Sequence, residues 1–165
     1  GNFCYSDLEW QTLRQDAKWL LEQGVAGLAF GCLDENNNID LARCGEMRSL
    51  TRGKELVFHK AFDDVRAPQR SLEQLIEAGI DRVMTSGHQP TALEGLPSIS
   101  SALKQAERRI EILPAGGITA QNAKKIIQTS GCRQIHGSFS SGKCANLRLE
   151  IEQTISQLTN LSFHH

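Results

Sequence analysis

The stretch ELVFHKAFDDVRAPQRSLEQLIEAGIDRVMT, Glu55 to Thr85, decides the fold. It opens on the apolar run Glu55-Leu56-Val57-Phe58-His59 and places Pro68 where a first helical turn accepts proline. Leu72, Leu75 and Ile76 then form a stripe at helical spacing, Gly79 stops it, and Arg82-Val83-Met84-Thr85 returns to a strand pattern. A strand, a helix and a second strand in that order make a crossover unit whose strands run parallel.

The alternation continues on both sides. Upstream, Ser6 and Glu9 fit a capping box, and Trp10, Leu13, Ala17, Leu20 and Leu21 make a helical stripe that stops at Gly24. Val25 to Phe30 reads as a buried strand, and Asp40 can cap a helix whose apolar face is Leu41, Cys44 and Met47. Downstream, a helix through Ile99, Leu103 and Ala106 leads to a strand at Ile110-Glu111-Ile112-Leu113. A further helix with Ala123, Ile126 and Ile127 leads to a fifth strand at Gln134-Ile135-His136, and Leu147, Ile151, Ile155 and Leu158 read as a last helix. Strands recurring about every 25–30 residues, with a helix between each pair, place the chain in the α/β class as one continuous domain over residues 1–165. Two architectures compete: an open doubly wound sheet, favoured by length, and part of an eight-stranded barrel, which normally takes ~250 residues. No G-x-G-x-x-G occurs, so dinucleotide binding has little support.

Lys and Arg number 18 against 19 Asp and Glu, for a net charge of −1, which leaves no basic field for nucleic acid or an anionic membrane surface. No apolar run approaches the ~20 residues that cross a bilayer. Five widely spaced cysteines, Cys4, Cys32, Cys44, Cys132 and Cys144, form neither a disulfide framework nor a zinc ribbon and suit a reducing compartment.

Reactive groups in parallel α/β sheets gather where strands end at their carboxyl side. If Phe58 packs under helices, alternation turns His59 inward, beside Lys60 and Asp63. Such an imidazole is a general base, a metal ligand, a substrate hook or a hydrogen-bonded core histidine. Thr85-Ser86-Gly87-His88 offers two hydroxyls at a sharp turn, or a simple helix start. Gly116 and Gly117 precede a helix, where backbone N–H groups can close on a phosphate or carboxylate. His136 and Ser138 share one face beside Gly137. Cys44, on an apolar stripe, reads as core packing, whereas Cys32 follows a strand at the rim of His59 and His136, where a thiolate and imidazoles suit Cu(I) or Zn(II). The competing reading of Cys32 is a small apolar loop residue.

Phe58-His59-Lys60-Ala61-Phe62-Asp63, Thr85-Ser86-Gly87, Ala92-Leu93-Glu94-Gly95, Pro114-Ala115-Gly116-Gly117-Ile118 and His136-Gly137-Ser138 come in the order, and at about the spacing, of the CutC copper homeostasis family. The resemblance runs from Gly1, where Gly1-Asn2-Phe3-Cys4-Tyr5-Ser6-Asp7 is similar to the family's loop after its third barrel strand, to about Ser138. It implies an incomplete TIM-like (β/α) barrel whose five βα units are the fourth to the eighth. It further implies Cu(I) binding and copper tolerance in a cytoplasmic homo-oligomer, with the nucleus as a second compartment. Lys60 stands where the family commonly has Arg, and Ala115 replaces one Gly of a three-glycine turn.

Two functions follow as expectations. One is copper homeostasis, with Cys32, His59 and His136 as metal ligands. The other is an enzyme on a small anionic or phosphorylated metabolite, with His59, Asp63, Ser86 and His136 catalytic and Lys60, Gly116, Gly117 and Ser138 holding the anion. A truncated form that only partners intact barrels is a third reading. Unpaired edges on the fourth and eighth strands lead us to expect a further N-terminal segment, and an unstable or sticky polypeptide without it.

Overall fold

A computed structural model describes residues 2–137. The chain order is α1 (Asp7–Glu22), β1 (Gly27–Phe30), α2 (Leu41–Leu50), β2 (Glu55–Phe58), a 3₁₀ helix (Lys60–Asp64), α3 (Pro68–Glu77), β3 (Arg82–Thr85), α4 (Leu96–Ala106), β4 (Glu111–Pro114) and α5 (Ala120–Ser130). Local chemistry sets these bounds. Ser6 and Glu9 close a reciprocal capping box at the start of α1, and the Asp40 carboxylate accepts from the Arg43 amide at the start of α2. Pro68 opens α3, and α5 begins on a second reciprocal box between Thr119 and Asn122.

The four strands form one all-parallel sheet in the order β1-β2-β3-β4, with Phe30 beside Phe58, Phe58 beside Val83 and Val83 beside Ile112. Spatial order therefore follows chain order without the reversal that defines a doubly wound sheet, and a barrel grows in this way. Helices α3, α4 and α5 pack side by side in sequence, so they cover one face. Leu56, Phe58, Val83 and Ile112 point into that layer and are fully buried with Leu72, Leu75, Ile99 and Ile126. Each such burial stabilises the fold by roughly 1.5–3 kcal/mol. Alternation puts Ala29, Val57, Met84 and Leu113 on the opposite face together with Arg82, which neighbours Val57 in register and pairs with Glu55 at 3.3 Å.

The segment after β2 is the 3₁₀ helix Lys60–Asp64. Two expectations are corrected. Gln134-Ile135-His136 forms no strand ladder: a single parallel bridge joins Ala115 to His136, with the His136 amide donating to the Pro114 carbonyl at 2.9 Å. The open doubly wound alternative falls with the strand order. The expected helix through Leu147 and Leu158, together with Ser138 and Cys144, lies outside the described residues.

Candidate functional site

The ends of β2, β3 and β4 meet at one rim, and Asp63 organises it. The 3₁₀ turn carries this carboxylate back to the end of β3, where it accepts from Thr85 Oγ1 at 2.5 Å, the Ser86 amide at 3.0 Å, Ser86 Oγ at 2.9 Å and the His88 amide at 3.1 Å. The Lys60 ammonium lies 3.0 Å from the same carboxylate. Burial works to raise the Asp63 carboxyl, but these hydrogen bonds outweigh it and hold the group below the ordinary aspartate value. Asp63 is therefore an ionised organiser.

Lys60 Nζ also donates to Ser86 Oγ at 2.8 Å. The Ser86 hydroxyl, with one proton to give, faces both the Asp63 carboxylate and the Gln89 carbonyl at 2.6 Å. Gly116 closes over the pair: its φ is +100°, and a Cβ there would lie 3.2 Å from Lys60 Nζ and 3.3 Å from Ser86 Cβ. Gly117 follows at φ +64°, pressed against Thr91, while the Ala92 amide donates to the Gly116 carbonyl at 2.9 Å. The Lys60 side chain remains 40% exposed, so its charge is available at the surface of this constellation.

His59 belongs to a separate environment. Its Nδ1 accepts from the Ala61 amide at 3.1 Å as the cap of the 3₁₀ turn, and Nε2 has no hydrogen-bond partner among the described residues. The ring packs 4.9 Å from Phe3 and rests on Gly31, where any Cβ would collide with it. Burial lowers its pKa below the ordinary histidine value. Beside it, off the free edge of β1, lies an apolar pocket of about 180 Å³ walled by Tyr5, Trp10, Leu28, Phe30 and Met47. None of the Asp63 hydrogen bonds goes to His59 among the described residues, so Asp63 does not orient it.

Of the expected residues, the structure thus brings together Lys60, Asp63, Ser86 and Gly116, with Gly117 adjoining. It does not bring together Cys32, His59 and His136. Cys32 turns into the core against Cys44 of α2, His59 lies over Gly31, and His136 is exposed. Among the described residues no group of three or more His, Cys, Asp or Glu side chains is placed to hold a metal ion. Ser138 lies outside those residues.

Sequence reasoning missed His88. Its φ is +60° and its Nδ1 lies 2.9 Å from the Asp63 carbonyl. It also did not foresee that Gly87 and Gly95 abut: a Cβ on Gly87 would strike the Gly95 backbone, and one on Gly95 the Ser86 carbonyl. The adjacent Ser86-Gly87 signal could have pointed to the first, but nothing local announces the second.

The profile of the CutC family matches residues 1–141. A CutC family protein of Treponema denticola is 46% identical over 136 residues, 82% of this chain and 55% of that protein. A mouse protein named copper homeostasis protein cutC homolog is 39% identical over 148 residues, 90% of this chain and 54% of its own length, and its human counterpart is 38% identical over the same span. The chain accordingly spans about half the length of the curated relatives it matches. The solved CutC of Streptococcus agalactiae superposes with a TM-score of 0.80 at 34% identity, covering 84% of this chain and 68% of that one. A solved aldolase at 18% identity and a TM-score of 0.64, covering 93% of this chain and 69% of that one, shares the fold alone. With the profile spanning all the described residues, the chain belongs to the CutC family.

Proposed function

We propose that the chain is part of a cytoplasmic copper homeostasis protein that handles Cu(I) as cargo. The observation that carries this reading is family membership, with mouse and human relatives named for copper homeostasis. The donor chemistry agrees to this extent: Cys32 and Cys44 supply two soft sulfur ligands in contact, the type that selects Cu(I). No helix among the described residues is long and apolar enough to cross a membrane. The test is growth in elevated copper of cells whose own CutC gene has been deleted. Expression of the protein is expected to restore tolerance, and unchanged sensitivity with the protein well expressed would overturn the proposal.

One observation favours a second reading, in which the barrel rim binds a small anion. The exposed Lys60 ammonium donates to Ser86 Oγ and lies against Gly116, so a positive charge is presented beside a backbone turn that carries no side chain. Asp63 and Ser86 would then position Lys60, and His59, whose Nδ1 already accepts from the Ala61 amide, would stand apart with its Nε2–H as a donor. Inorganic phosphate and small carboxylates are the probes. Binding lost in Lys60→Ala supports this reading, and equal binding by parent and variant removes it.

A further inference from the structure

The strongest feature outside the rim is a pair of thiols. Cys32, just after β1, and Cys44, in α2, place their sulfurs 3.9 Å apart in the core, both fully buried and both free. Their other polar neighbour is the Asp40 carbonyl, 3.8 Å from Cys32 Sγ. Buried cysteines usually pack singly as small apolar groups, whereas here two soft ligands from different elements touch. The adjoining cation is fixed with unusual thoroughness. Arg43 donates to the Tyr5 carbonyl at 2.6 Å, pairs with Asp7 at 3.0 Å and Asp40 at 3.5 Å, and lies 5.4 Å over the Trp10 ring.

We propose that Cys32 and Cys44 form a buried two-sulfur site for a soft monovalent d10 cation, Cu(I). The choice of Cu(I) among soft cations rests on the copper reading above, while the site itself rests on the geometry. Metal–thiolate bonds are about 2.3 Å for zinc, so sulfurs 3.9 Å apart take a cation between them with a bent S–metal–S angle, or in line after parting by about 0.7 Å. The step balances as two thiols plus Cu(I) giving a bis-thiolate complex of charge −1 and two released protons. Arg43 offsets that charge, although Asp40 opposes it. Without metal, contact with Cys44 and burial both push the Cys32 thiol up, so Cys32 stays protonated. Because neither sulfur reaches solvent, loading requires a local opening.

The assignment replaces the ligand set expected from sequence. His59 and His136 drop out, and Cys44 enters. A relay through Cys4, Cys132 or Cys144 is not invoked.

The experiment is a Cu(I) competition titration under strictly reducing conditions on the full chain with Cys4, Cys132 and Cys144 changed to serine. One equivalent is expected to bind, with affinity rising about a hundredfold per pH unit because two protons leave. Cys32→Ala and Cys44→Ala are expected to abolish it while circular dichroism remains native. Binding retained in the double alanine variant, or no binding by the folded three-serine chain, would overturn the site. Where an alanine variant does not fold, X-ray absorption on the Cu(I)-loaded three-serine chain decides. Two sulfur scatterers support the pair, and a nitrogen or oxygen ligand shell overturns it. Tolerance that fails to return in cells while this binding persists would count against the copper reading alone.

Discussion

The Lys60 ammonium donates to Ser86 Oγ across 2.8 Å and pins that hydroxyl beneath the Gly116 turn. A charge from the 3₁₀ helix and a hydroxyl from the end of β3 are thereby held in fixed register by the Asp63 carboxylate of that same 3₁₀ helix. The rim is prearranged, and each part of the arrangement has a measurable cost of removal.

Gly116→Ala should be destabilising and should disturb Lys60. The residue adopts φ +100°, where an L side chain is strained, and the added Cβ would press on Lys60 Nζ and Ser86 Cβ. A loss of about 1–2 kcal/mol is expected from the backbone alone. Chemical denaturation measures it, and an unchanged midpoint would show that the turn is not held as described.

Asp63→Asn should cost more, about 3 kcal/mol, because the variant keeps one acceptor oxygen for the donors of Thr85, Ser86 and His88 and leaves Lys60 without its counter-charge. The native carboxyl titrates below its unfolded value. Its stabilisation is therefore fully present above the unfolded aspartate value near ~3.9 and lost as pH falls through the folded one. Urea midpoints between pH 2 and 6 should show an acid-side decline in the parent that is smaller in Asp63→Asn.

His59 should titrate below an ordinary histidine, since burial disfavours its charged form. The sign is opposite to that of a paired histidine: the unfolded chain binds the proton more readily. Stability should therefore fall as pH drops through the unfolded value near ~6.5 and level off below the folded one. Ring proton shifts followed by NMR from pH 5 to 8 check this, and a midpoint above that of free histidine would contradict the burial.

Gly95→Ala should prevent the native fold. Its new methyl would overlap the Ser86 carbonyl, a backbone atom at the end of β3 that cannot swing aside. Expression as aggregate, or a flat thermal melt, is the expected outcome. Gly45→Ala, with open space around it in α2, is the matched control and should be neutral or slightly stabilising.

The edge of β1 that pairs with no strand among the described residues, together with Leu8 and Trp19 exposed on α1, should make the 165-residue chain associate. Sedimentation velocity over a range of concentrations tests it: the weight-average coefficient should climb with concentration. A constant monomer value would mean that these groups are covered.

Much of the architecture was legible because its signals are local. Ser6 with Glu9, Pro68 with Gly79, and the stripes at Leu72, Leu75 and Ile76 specify helix ends and faces within one or two turns of chain. The inward turn of His59 followed from Phe58 facing the helices, and both hold. What escaped notice depends on approaches between distant segments. His59 and Asp63 are four positions apart, yet the 3₁₀ turn sends one to Gly31 and Phe3 and the other to β3. Cys32 was grouped with histidines by rim position, whereas α2 folding back on its own strand gives it Cys44. The fifth strand fails because Gln134-Ile135-His136 offers a single apolar residue, and its pairing stops at the one bridge between Ala115 and His136.

Strand order that repeats chain order also constrains how the molecule comes to exist. The pairs Gly27 with Glu55, Val57 with Arg82, and Arg82 with Glu111 each join positions fewer than thirty residues apart. Closing such short loops is entropically similar at every step, because the cost grows only with the logarithm of length. No pairing among the described residues has to wait for distant parts of the polypeptide to find each other. Each newly synthesised segment can dock on the one before it as it leaves the ribosome, so the sheet extends in the direction of translation.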